Sequence, residues 1–260
     1  MTDNYRTAII TGASSGIGAA ISKQLCRNGI VVYALARDTK KLDRVRKELA
    51  TKYRPNFHSV NCDISDRKKT TNAIRKIYSE KNVDLVICNA GVGLGKRLEE
   101  HSWEDIDRII STNLTGSINI LKSCLESREG HITQIVFTTS LAGKIGFPNL
   151  SVYSATKFAL EGLVESLRNE YDPSQVSFTI LRPGITATSF FNTAGMQDFE
   201  KSAQGLKSYY SPDKVAEIFI NELSKGRKAI TIGSDKYFLK ILPFVTFGLR
   251  FKVLDLINKI

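Results

Sequence analysis

Cysteine and histidine are scarce in this 260-residue chain. Its four cysteines, Cys26, Cys62, Cys88 and Cys124, form no CxxC pair, and His58, His101 and His131 stand at no ligand spacing from them. Neither a disulfide framework nor a zinc site is expected, and the thiols read as reduced, in a cytoplasmic protein. Long apolar runs are missing too. None reaches the roughly 18 residues of a spanning helix, and the longest candidate, Ile241 to Leu249, is broken by Pro243. The polar start Thr2-Asp3-Asn4 runs into Ala8-Ile9-Ile10 with no basic region before a long apolar one, so no signal peptide is expected. Acidic residues are outnumbered, 26 against 37 Lys and Arg, for a net charge of +11. The excess is local: residues 37–54 carry eight basic and three acidic side chains, and 67–81 carry six and one. A nucleic-acid binder would add stacking aromatics or groove-reading elements. These stretches read instead as solvated helix faces beside a site for a phosphorylated ligand, with no nucleic-acid partner.

What is present is a rhythm. Apolar runs bounded by turns alternate with segments of helical period, the pattern of a parallel α/β sheet. Strands are predicted at Thr7–Thr11, Ile30–Ala36, Asn56–Asn61, Leu85–Cys88, His131–Thr139, Val176–Leu181 and Ala229–Ile232. Helices are predicted to begin near Ser15, Lys41, Arg67, Trp103, Val152 and Pro212. The expected fold is one doubly wound Rossmann-type α/β domain, with a seven-stranded, mainly parallel sheet and helices on both faces. It spans residues 1–236, and 237–260 form an amphipathic extension.

The first strand runs into Thr11-Gly12-Ala13-Ser14-Ser15-Gly16-Ile17-Gly18. Glycine at 12 permits a tight turn, at 16 the approach of a pyrophosphate to the backbone, and at 18 close packing of helix on strand. The helix N-terminus then offers free N–H groups and partial positive charge to the phosphates. Ser14, Ser15 and Ile17 belong to the same cradle. The second strand ends in Leu35-Ala36-Arg37-Asp38. An acid there would hold a ribose 2′-hydroxyl. Ala36 removes it, and the planar fork of Arg37 suits a 2′-phosphate, so NADP(H) is predicted. The competing reading turns Asp38 inward to the ribose.

Tyr153 and Lys157 stand four residues apart, on one helix face. Ser140 ends the preceding strand, Asn113 lies in Ser111-Thr112-Asn113-Leu114, and Asn89-Ala90-Gly91 follows the fourth strand. With Thr11-Gly12-x-x-x-Gly16-x-Gly18 and Pro183-Gly184, this set resembles the short-chain dehydrogenase/reductase family over roughly residues 5–235. The resemblance implies that Asp63 contacts the adenine and that Asn89 lines the ribose side of the groove, with Ala90 and Gly91 also among the cofactor-binding residues. It also implies that Pro183, Gly184 and Ile185 shape the nicotinamide wall, with Thr188 bonding nearby. Cys88 departs from the family's usual Asn-Asn-Ala-Gly.

The chemistry asks for these residue types. Hydride delivered to a ketone carbon leaves negative charge on oxygen, so a proton donor is needed. Tyr153 is the candidate acid, Lys157 the cation expected to lower its pKa from about 10, Ser140 the donor to the carbonyl oxygen, and Asn113 the anchor of a water reaching Lys157. Hydride transfer of this kind needs no metal. The irregular stretch Thr186–Ser211, with Phe190, Phe191, Met196, Phe199, Tyr209 and Tyr210, reads either as a lid over an apolar pocket or as a packed loop. A hydrophobic ketone or 3-oxoacyl substrate is favoured over a sugar. From Tyr237 to Ile260, 15 of 24 residues are apolar. Leu249, Val253, Leu256, Ile257 and Ile260 share one face, which suits burial on the chain's own body, on a partner subunit or on an anionic membrane surface. The resemblance implies a homodimer or homotetramer. The expected activity is carbonyl reduction with NADP(H). The alternatives are a non-enzymatic NADP(H)-binding regulator and a membrane-peripheral lipid-ketone reductase.

Overall fold

A computed structural model describes residues 5–204 and 209–233. The segment 237–260 therefore lies outside the described residues, as does the side chain of Phe199. Seven strands form one sheet: β1 (Thr7–Thr11), β2 (Val31–Ala36), β3 (Phe57–Asn61), β4 (Leu85–Cys88), β5 (Thr133–Thr138), β6 (Val176–Pro183) and β7 (Ala229–Ile232). Their order is β3-β2-β1-β4-β5-β6-β7, and every pairing is parallel rather than mainly so.

Parallel strands need crossovers, and helices supply them on both faces. Side chains alternate along each strand, so Ala8, Ile10, Val32 and Ala34 pack against α1 (Gly16–Arg27), α2 (Thr39–Glu48) and α9 (Pro212–Leu223). Ile9, Tyr33, Leu35, Ile135 and Phe137 face the other way, toward α3 (Arg67–Glu80), α5 (Gly116–Ser127) and α6 (Ser151–Glu170). Helix starts follow local chemistry: Asp38, Asp66, Ser102 and Ser211 each accept a backbone N–H from the first turn, and Pro212 opens α9.

The region predicted as one helix from Trp103 is a longer rod. α4 (Trp103–Ile110) passes through a single π turn at Ser111–Thr115 into α5. The stretch Thr186–Ser211 is less irregular than expected, because it contains α7 (Phe190–Thr193) and α8 (Gln197–Ala203). The chain reverses direction across the sheet at β1, whose neighbours β2 and β4 wind oppositely. A crevice opens there beyond the carboxyl ends of the strands.

Candidate active site

The loops leaving β1 and β4 meet at this crevice. Thr11 Oγ1 accepts from the Asn89 and Ala90 amides at 2.9 and 3.0 Å, and Asn89 Nδ2 donates to Thr11 O at 3.1 Å. The fit is close enough to demand glycine. A Cβ on Gly12, where φ is +65°, would lie 2.8 Å from Ala90 Cα, and one on Gly18 would lie 2.4 Å from Gly12 O. Gly16, at φ +54°, faces the Thr188 methyl, so Thr188 closes over the phosphate loop from the far side. Ser15 caps α1 with extended backbone but makes no side-chain capping bond, and the first turn carries no acid. This cradle of free amides fits the pyrophosphate of a dinucleotide. Ser14 and Ile17 flank it, and Ile17 packs on the core below.

Farther out, Arg37 Nη1 lies 3.9 Å from Asp63 Oδ2. Asp63 Oδ1 is held by the Ser65 amide and hydroxyl. Asp38 does not turn inward to a ribose, because its carboxylate accepts from the Lys41 amide at 3.0 Å as the cap of α2. Cys88 takes no part in the groove. Its thiol is buried in the core on the α3/α5/α6 side, and desolvation raises its pKa.

Tyr153, Lys157, Ser140 and Asn113 converge where β4, β5 and β6 end. Lys157 is buried, and its Nζ donates to Thr138 O at 2.8 Å and sits 5.6 Å from the Tyr153 ring centre. Burial pulls the ammonium down to about 8. The Tyr153 ring is half-buried, yet desolvation pushes the phenol up to about 12, opposed by a hydrogen bond from Ser140. The expectation that Lys157 lowers the phenol's pKa is not met here: the Lys157 charge is turned to Thr138, and desolvation dominates both groups. Ser140 Oγ accepts from the Ala142 amide at 3.1 Å, so its O–H is the donor it turns toward Tyr153.

Asn113 lies in the π turn, where the widened backbone aims its side chain at the β4 loop. Its Oδ1 accepts from Val92 N at 2.8 Å, and Nδ2 donates to Val92 O and Thr156 Oγ1. The side chain is thus a clamp holding the loop against α6. Gly91 lies between Asn113 and Lys157.

Beyond Pro183, Gly184 tolerates no side chain, since a Cβ would meet Ile232 O at 2.8 Å. The Ile185 carbonyl already accepts from Tyr210 N, which ties the wall to the start of α9. The Phe190 ring lies 5.4 Å from that of Tyr153, and Phe191 is buried beneath it. Within this stretch Phe190 lies against Tyr153 while Phe191 is buried. Sequence reasoning passed over the notches that receive this stretch. Gly93 leaves room for Phe190 and Gly95 for Met196, and the run Gly91-x-Gly93-x-Gly95 is their signal. It also passed over Glu161 and Arg182, an ion pair buried behind Ser140.

Against known proteins, the profile of the short chain dehydrogenase family matches residues 6–198. The chain belongs to the short-chain dehydrogenase/reductase family. It is 31% identical to a 3-dehydrosphinganine reductase of Arabidopsis thaliana, over 87% of this chain and 70% of that protein. An alcohol dehydrogenase of Thermococcus sibiricus complexed with 5-hydroxy-NADP superposes with a TM-score of 0.75 at 31% identity, covering 88% and 96% of the two chains. A family member of Burkholderia phymatum in complex with NAD gives 0.80 at 22% identity, over 92% of each, and shows the shared fold. The protein is accordingly an oxidoreductase of this family with a groove for a nicotinamide cofactor. Among the described residues, no helix is long and apolar enough to cross a membrane, and no acidic, His or Cys cluster could hold a metal.

Proposed function

We propose that the protein is an NADP(H)-dependent carbonyl reductase acting on a hydrophobic, lipid-like ketone. The observation that carries the reading is the placement of the Tyr153 phenol between the Ser140 hydroxyl and the apolar roof of Phe190. When bound, the cofactor supplies the hydride. The glycine cradle with Ser14 and Ser15 would hold its phosphates, Arg37 a 2′-phosphate, and Lys157 the ribose hydroxyls. Pro183, Gly184, Ile185 and Thr188 would flank the nicotinamide.

Ser140 donates to the substrate carbonyl oxygen and orients it toward the phenol. Tyr153 then gives its proton to that oxygen as negative charge develops there. A phenol pushed up to about 12 stays protonated at neutral pH, the form a proton donor needs. Lys157, with Nζ 5.6 Å from the ring centre, places a positive charge beside the phenolate left behind. Freeing Asp38 to cap α2 removes the carboxylate that would repel a 2′-phosphate, which supports NADP(H) over NAD(H). The likeness to a 3-dehydrosphinganine reductase supports a long-chain amino ketone as the substrate type.

The test is NADPH oxidation across 3-ketodihydrosphingosine, 3-oxoacyl thioesters, steroid ketones and a polar keto sugar. Turnover of the apolar ketones and not of the sugar is expected. NADPH binding with no turnover of any carbonyl would support the regulator reading instead. Half-exposed Ile110, Ile118 and Phe158, on the α4/α5 rod and α6, support a homodimer or homotetramer through these helices. The apolar, basic segment 237–260 supports peripheral contact with an anionic membrane, where such a ketone would reside.

A further inference from the structure

Ser140 is held by a turn whose two ends grip one buried carboxylate. Glu161 lies one helical turn beyond Lys157 on α6 and is 6% exposed. Arg182, at the end of β6, fixes its plane with a fork: Nε donates to Oε1 at 2.7 Å and Nη2 to Oε2 at 2.5 Å. The same Oε1 accepts the hydroxyl of Thr139, the residue before Ser140, at 2.8 Å. Lys144, which follows the turn Leu141–Gly143, reaches Oε2 at 3.2 Å. Inside the turn the Ala142 amide holds Ser140 Oγ. The turn lies flush on α6 because Gly143 has no Cβ, which would stand 3.0 Å from Lys157 O and 3.3 Å from Glu161 Cγ.

A buried ion pair is weak evidence for stability, since apolar residues of the same volume often serve as well. It does fix geometry. Burial raises a carboxyl's pKa, but here Arg182, Thr139 and Lys144 outweigh it and keep Glu161 charged.

We propose that Glu161 is a positioning residue for Ser140, holding the turn from both sides so that the serine hydroxyl points at the substrate oxygen. The inference rests on the carbonyl-reductase reading, because it acts through Ser140. Its test is a double-mutant cycle of Glu161→Gln with Ser140→Ala in the full chain, with kcat measured on the best ketone of the panel and the Kd for NADPH by fluorescence.

Glu161→Gln is expected to lower kcat about 10- to 100-fold, the scale of a small misplacement, with the NADPH Kd within about threefold of wild type. In the Ser140→Ala background the same change is expected to cost less than about threefold, because the group it positions is gone. Should Glu161→Gln fail to fold with Arg182 unpaired, Lys144→Met runs the same cycle from a side chain that is 41% exposed. It is expected to cost about three- to fivefold, again only when Ser140 is present. Losses that multiply in the Ser140→Ala background would overturn the positioning role and leave the reductase reading intact. A Ser140→Ala variant as active as wild type would overturn the positioning role alone, whereas a wild type that reduces no carbonyl would overturn both.

Discussion

Replacing Arg37 by alanine separates cofactor recognition from folding. The side chain is 63% exposed, and its one described ion pair, to Asp63, spans 3.9 Å. Such a pair contributes about 0–1 kcal/mol, so the melting temperature should move little. Against a 2′-phosphate the same guanidinium makes charge-assisted bonds of about 1.5–3 kcal/mol, which corresponds to a roughly 10- to 150-fold weaker Kd for NADPH. NADH has no phosphate at that carbon, and its Kd should stay within about twofold. The effect should also shrink with salt, since the contact is exposed. Fluorescence titration with both cofactors at low and high ionic strength, together with the ratio of kcat/KM values, measures this directly. A wild type that prefers NADH, or an Arg37→Ala variant with an unaltered ratio, would refute the argument from Ala36, Arg37 and the capping role of Asp38.

Three further outcomes are expected. Tyr153→Phe keeps the ring against Phe190 but removes the proton, so reduction should fall by roughly 10²–10⁴-fold in stopped-flow assays while NADPH still binds; a near-normal rate would remove Tyr153 from its role. The phenol near 12 stays protonated through the working range, whereas the ammonium near 8 does not. Reduction should therefore hold steady at lower pH and decline as pH rises through about 8 and Lys157 loses its charge, and a kcat/KM profile flat well beyond that point would contradict this. Gly18→Ala places a methyl 2.4 Å from Gly12 O and 2.5 Å from Asn89 Nδ2, so urea unfolding should show a loss of about 1–3 kcal/mol with weaker NADPH binding. Unchanged values for both would mean that the two loops do not approach so closely.

The strands were legible because each buried run is short, apolar and bounded by a turn, and the glycine loop because its spacing has one economical explanation. Ser140, Tyr153 and Lys157 announced themselves by residue type and order. What stayed hidden were partnerships across the sequence. Nothing local says that Glu161 on α6 meets Arg182 on β6, or that Gly93 leaves room for Phe190 nearly a hundred residues away. The electrostatic sign at Tyr153 was hidden for the same reason. Proximity of Lys157 in sequence suggested a depressed phenol, whereas burial, which only the fold determines, raises it. The α4/α5 rod defeated periodicity reading because its phase changes midway.

That phase change has a cost and a use. A π turn amounts to one residue inserted into an α-helix, which advances everything downstream by about 100°. Deleting a single residue between Ser111 and Thr115 would heal the rod into a regular helix with a full set of ordinary bonds. The repaired helix would swing the amide that grips Val92 out of reach, and the β4 loop beside Lys157 would lose its tether. A mutant with a better helix and an idle enzyme is the signature of an irregularity kept for its aim.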